Sequence, residues 1–235
     1  MRAYHFNTGR LRDGRNLPPL GEWLEHDGPI VPCERGLHAS EHPFDALQYA
    51  PGTTLDMVDL EGELVTHGNP VDKLCGRRRC RIASIDATAL LREFARWCAQ
   101  QVLPLWDAPD VVKEFLKTGR EDLRAAARAA AGDAADADAG ADAWAAAWDA
   151  ACAAAEDAAW NAARDAARNA ACAAARAAAC AAAEDAACAA AGAAAWNAAW
   201  NAAWNAAWAA ACDAQRIQFA AMVAAAFDAA RGEKA

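Results

Sequence analysis

The 235-residue chain has a net charge of −9 and is 56% hydrophobic, yet 63 of the 112 residues from Arg124 onward are Ala, and Leu, Ile, Val, Met, Phe and Tyr are absent between Leu123 and Ile217. Half of the chain therefore lacks the large side chains that fill a core, which excludes a single conventional two-layer domain and an enzyme built across the whole length. Both halves are mildly acidic, with 15 Lys+Arg against 19 Asp+Glu up to Leu123 and 8 against 13 after it, so no basic footprint invites non-specific nucleic-acid binding.

Residues 1–85 read as a small β-rich head with short helices. Ala3-Tyr4-His5-Phe6 is a first strand, and Glu22 to Val31 reads as strand, tight turn at His26-Asp27-Gly28, strand. Pro43 suits a first helical turn, with Phe44 to Ala50 following as a short helix that Pro51-Gly52 stops. Thr53 to Leu60 alternates with period two and, with Gly62 to Val65, gives the clearest strand signal of the chain. A further strand is expected over Arg79 to Ile85. The basic run from Gly76 to Arg81 reads as a solvated strand or turn, with phosphate contact as the other reading.

Residues 86–122 read as connecting helices. Asp86 is a plausible N-cap for Ala87 to Leu103, whose Leu90, Leu91, Phe94 and Trp97-Cys98 share a face that Pro104 ends. A second helix opens at Asp107 or Asp110, runs through Val111, Val112, Phe115 and Leu116, and closes at Gly119.

From 123 to 231 the chain follows a four-residue rule, X-B-Ala-Ala. X is Trp, Arg, Cys, Gly, Asp or Glu, and B is Ala, Asp or Asn. Ala has the highest helix propensity and the tract far exceeds the roughly 12–15 residues a marginal helix needs, so one long helix or a helical hairpin is expected, with a break at 132–142. Four residues turn a helix by about 400°, so X advances about 40° per unit, too far from the 3.5-residue seam of a coiled coil to supercoil. Local crossing contacts or a hairpin fit better. Trp196, Trp200, Trp204 and Trp208 form a packing ridge, for which Phe219, Met222, Val223 and Phe227 are an intramolecular cover, the head and a second copy being the others. Duplication and drift of a twelve-nucleotide unit would produce the same pattern without selection on each X.

The stretch 186–212 carries no charge, but Ala contributes little transfer energy and Asn197, Asn201 and Asn205 would each need a partner in lipid, so no membrane span is expected. The N-terminal residues lack the apolar run of a secretory signal, and nine cysteines, five of them in the Ala-rich tract, read as free thiols in a cytoplasmic protein. Cys172, Cys180 and Cys188 lie about 12 Å apart along a helix, too far for one metal ion. Cys33, His38 and His42 lack a supporting CxxC pair. No metal and no cofactor is expected.

Gly36-Leu37-His38-Ala39-Ser40, followed by His42 to Pro51, with Tyr4-His5-Phe6 before it and Asp72-Lys73-Leu74 and Arg79 to Asp86 after it, resembles an uncharacterised N-terminal domain of bacterial and phage proteins. The resemblance covers about residues 1–105 and implies a head leading into a low-complexity, often Ala-rich tract, without an activity. A weaker resemblance, to ADP-ribosyltransferase-like folds, implies NAD as ligand. His5 would bind the nicotinamide ribose, Tyr49 would stack, and Glu61 or Glu63 would be the acidic residue. Phe6-Asn7-Thr8 departs from the Gly-Thr/Ser that usually follows the His. His38 and His42 read as a binding pair, or else as a turn and a helix start.

Two functions follow. One is a non-enzymatic structural or interaction protein whose helical tract self-associates or binds a protein partner. The alternative is an NAD-binding or transferase head on a helical tether.

Overall fold

The structure, a computed structural model, describes residues 1–136, 159–189 and 193–232. It is α+β, an N-terminal antiparallel sheet with short helices followed by long helices. In chain order the elements are β1 (Arg2–Asn7), β2 (Trp23–Glu25), β3 (Leu37–Ala39), α1 (Pro43–Gln48), β4 (Thr54–His67), β5 (Lys73–Asp86), α2 (Thr88–Gln101), a single 3-10 turn (Leu103–Leu105), α3 (Asp110–Thr118), α4 (Glu121–Asp136), α5 (Ala159–Ala189) and α6 (Ala193–Gly232). The chain divides into two compact units, Met1–Leu91 with Arg216–Ala235, and Arg92–Gln215.

In the first unit the sheet order is β1-β4-β5-β2, with β3 also on β5. The 14-residue β5 pairs with β4 on one edge and carries two short strands end to end on the other, β3 on Leu74 to Gly76 and β2 on Arg78 to Cys80. A bulge after Met57 resets the alternation of β4, so that Leu55, Val58 and Leu60 are all buried although an unbroken period of two would place Leu55 and Val58 on opposite faces. Beyond β3 the backbone of Ser40 exchanges two hydrogen bonds with Tyr4 on β1, at 2.8 and 2.9 Å. The strands β1, β4, β5 and β3 thereby close on themselves at one end, around Ala3, Ala39, Val58, Leu60 and Leu74.

The hairpin expected over Glu22 to Val31 does not form. Trp23–Glu25 pairs instead with β5, and Val31 bridges only Arg35. The strand expected over Arg79 to Ile85 begins six residues earlier, at Lys73. Gly36 leads into β3 with φ 111°, and a Cβ there would meet the Cys75 sulfur. Gly36→Ala should therefore lower stability by about 2 kcal/mol or more, combining backbone strain with overpacking, as read by urea unfolding.

Helix α1 starts as its sequence dictates. His42 Nδ1 accepts the Phe44 N–H at 3.2 Å and Pro43 occupies the first turn. The last turns of α6 complete this unit. Phe219, Val223 and Phe227 are fully buried, Phe219 edge-on to Phe44 and Phe227 beside Tyr4, and Arg216 forms a two-pronged ion pair with the buried Asp45. These aromatic residues thus cover the head, where the sequence had offered them as cover for the Trp ridge.

In the second unit, Ala99, Val112, Phe115, Leu116, Ala127 and Ala131 form the core of the helices before the Ala-rich tract. Asp86 caps α2 by accepting the Thr88 N–H at 2.9 Å, and Gly119 ends α3 in the left-handed region at φ 64°. Gly132 does not break α4, which runs on to Asp136, and the remainder of the expected break falls outside the described residues.

Two helices, not one rod, follow. Gln215 Nε2 donates a buried hydrogen bond to Ala167 O at 2.7 Å, and the two residues lie equally far from the facing ends of α6 and α5, the relation an antiparallel hairpin requires. On α5, beside the buried Ala166, Ala170 and Ala173, runs a buried row of Ala163, Ala167, Ala171, Ala175, Ala179 and Ala183. This is the Ala that precedes each X residue, not X itself. Small residues at every fourth position allow close approach, and the bulkier X side chains flank the contact, half-buried or exposed.

Candidate functional site

The seam where β1, β3 and α1 meet is open. An inner recess of about 210 Å³ continues into an outer cleft of about 690 Å³, the two sharing His5, Phe6, Arg12, His38 and Tyr49. The short strands explain the gap. β1 and β3 are joined by a single backbone bridge, at Tyr4 and Ser40, so the side chains of His5 and His38 face a space that no further strand pairing fills.

Two buried cations line this space. Arg79 is 6% exposed and donates to His38 O at 2.6 Å. It has no ion pair among the described residues, and burial pushes its pKa down to about 10, which leaves it charged at neutral pH. Lys73 is 8% exposed, sits 3.2 Å above the Tyr49 ring and lies 3.6 Å from Cys33 Sγ. It too lacks a carboxylate partner among the described residues. The nearby Asp72 is engaged by the Tyr49 hydroxyl at 2.6 Å and by His67 at 3.3 Å. Arg12, exposed at the mouth, is likewise without an ion pair among the described residues.

Both histidines are neutral at pH 7. His38 Nε2 accepts the Cys33 N–H at 3.0 Å, so its proton sits on Nδ1. Its pKa is pushed down to about 4, first by burial and then by Lys73, Arg79, Arg12 and His26. His5 shifts the same way, by burial, then Arg79, His38 and Arg81. The unfolded chain binds these protons more readily, so stability is fully present above about pH 6.5 and falls as the pH drops toward about 4. His38→Gln should flatten that acid slope, as measured by urea unfolding at a series of pH values.

Of the residues singled out from sequence, His5, Tyr49 and His38 are brought together here. His42 is not with them. It caps α1, where its pKa is lowered by burial and by Arg216. Glu61 and Glu63 stand on the exposed bulge of β4 and pair with Arg78 at 3.3 Å and Arg77 at 2.7 Å, away from the cleft. The basic run is split accordingly. Arg77 and Arg78 make exposed ion pairs, with Arg78 also over the Trp23 ring, while Arg79 and Arg81 turn inward. Arg12, Lys73 and Arg79 carried no sequence signal as a group, because only the ring of strands brings them together.

Trp200, Trp204 and Trp208 are half-buried on α6, and Trp200 and Trp204 stack at 6.3 Å and 20°. The side chain of Trp196 lies outside the described residues. Cys33, Cys75, Cys80 and Cys172 are free thiols, and no group of three metal-ligating side chains occurs among the described residues. No described helix is long and apolar enough to cross a membrane.

Residues 1–93 match the family model of a domain of unknown function (DUF7666), which spans the sheet and α1 and stops within α2. That match is to an uncharacterised domain, as the sequence phrase implied. No curated protein and no solved structure matches the chain.

Proposed function

We propose that the chain is a non-catalytic interaction protein, an α+β head joined to an Ala-rich helical segment that associates with a second copy through the Trp200–Trp208 row. The supporting observation is the half-buried state of that row. Three indoles spaced by four residues keep part of their accessible surface, while Asn201 and Asn205, each next to one of them, are exposed. Indoles bring a large apolar area, and clustered apolar surface of this kind marks interaction sites. Trp196 would extend the row. Sedimentation of the full chain should show an oligomer that dissociates in a Trp204→Ala, Trp208→Ala double variant. A monomer at all concentrations defeats the reading, and an oligomer indifferent to the substitutions moves the interface elsewhere. A cytoplasmic location belongs to the same proposal, and the free thiols of Cys33, Cys75, Cys80 and Cys172 support it. The head would be of the bacterial and phage type.

A second reading, an NAD-using head of ADP-ribosyltransferase type, is favoured by one observation: His5 and Tyr49 line the same recess. Glu61 and Glu63 are unavailable to it, and Glu25 or Glu34 on the outer cleft would have to serve as the acidic residue. Calorimetry of the full chain with NAD tests it, and absence of binding at millimolar concentration ends it.

A further inference from the structure

We infer that the cleft between β1, β3 and α1 binds a phosphate-bearing small molecule, its anion held by Arg12, Lys73 and Arg79 and its organic part in the wider outer cleft beside Tyr49. This stands apart from the association of the helical segment.

Charge is the first argument. A buried cation without an opposite charge is costly to desolvate. Arg79 has a carbonyl for a hydrogen-bond partner and feels the charge of Asp56, which Arg81 already engages, and Lys73 has an aromatic face and a thiol. Neither cation has a carboxylate of its own among the described residues, and the chain as a whole is acidic at −9, so the gathering of cations here runs against its composition. The carboxylates that line the outer cleft are mostly engaged. Asp13 is held by Arg15 at 2.7 Å and Glu25 by Arg78 at 2.9 Å, which leaves Glu34 at the rim.

Hydrogen-bonding capacity is the second. His38 Nδ1–H and both ring nitrogens of His5 have no protein partner among the described residues. Neutral imidazoles beside three cations provide the mixture of charged and uncharged donors that a phosphate with several oxygens uses, more than one carboxylate would occupy.

Shape is the third. The outer cleft, which Arg79 lines, falls within the roughly 300–1,000 Å³ range of small-ligand sites, and it opens into the inner recess, which Lys73 lines, through residues common to both, Arg12 among them. A recess, rather than an open groove, selects a small molecule over a nucleic-acid backbone.

Calorimetry of the full chain with AMP, adenosine, inorganic phosphate and a single-stranded oligonucleotide tests this. AMP should bind at least about tenfold more tightly than adenosine, the value of a charge-assisted contact. Arg12→Ala, at an exposed position, should weaken AMP by a similar factor without moving the thermal midpoint, and Lys73→Met should act in the same direction. Equal binding of AMP and adenosine, an unaffected Arg12→Ala variant, no binding of AMP or phosphate at millimolar concentration, or tighter binding of the oligonucleotide than of AMP would each overturn it.

Discussion

Asp56→Ala should cost the head about 3–5 kcal/mol, the expected loss when one partner of a buried ion pair is removed. Asp56 is fully buried and accepts from Arg81 twice, Nε at 2.6 Å and Nη2 at 3.0 Å, and from Asn7 Nδ2 at 2.8 Å. Its removal leaves the Arg81 guanidinium, 15% exposed, with only Pro18 O and Ser84 Oγ for partners. The same carboxylate is the principal opposing charge felt by Arg79, so two cations lose their counterweight together. Asp56→Asn should fall between, because it retains the shape and one acceptor. An Asp56→Ala, Arg81→Met double variant should be less destabilised than Asp56→Ala alone. Urea unfolding of the three variants and the parent decides it; a double variant as destabilised as Asp56→Ala, or more so, would show that the orphaned Arg81 charge is not what costs the stability.

Phe219→Ala should cost about 3–5 kcal/mol, and Phe227→Ala a similar amount, by emptying a fully buried ring site. Both side chains come from the far end of the sequence and lie against Phe44 and Tyr4 of the head. A chain truncated after Gln215 loses both rings, Val223 and the Arg216–Asp45 pair at once, and its head should bind a hydrophobic dye and unfold at lower urea. A truncated head with unchanged unfolding would mean that these contacts contribute nothing. Residues 1–93, although they match a family model on their own, are expected to fold poorly here without the end of α6.

Sequence reading reached what is decided locally. The Pro43 turn, the Asp86 cap and the Gly119 stop depend on a few adjacent residues, and each stands near where it was expected. The pairing of β2 and the existence of β3 were not legible. Three-residue strands carry no alternation to read, and both are held in place by β5, more than thirty residues away in sequence. His5, His38 and Tyr49 were named singly, and the cleft they share exists because Ser40 bridges Tyr4. The period of four was legible, but bulk suggested that the X residues make the contact. On α5 it is the preceding Ala that is buried, the smallest side chain allowing the closest approach of a neighbour. The same fourth-residue row on α6 continues through Gln215, Phe219, Val223 and Phe227, where larger side chains replace Ala and burial is complete.

Because the head unit is assembled from Met1–Leu91 and Arg216–Ala235, its two parts leave the ribosome far apart in time. At about 5–20 residues per second, the 124 residues between them take roughly 6–25 s to synthesise. Throughout that interval the nascent sheet presents Tyr4 and Phe44 without the rings that will cover them. The head is thus begun before the intervening tract and finished only after it, and its exposure to chaperones and to aggregation should scale with the length of that tract.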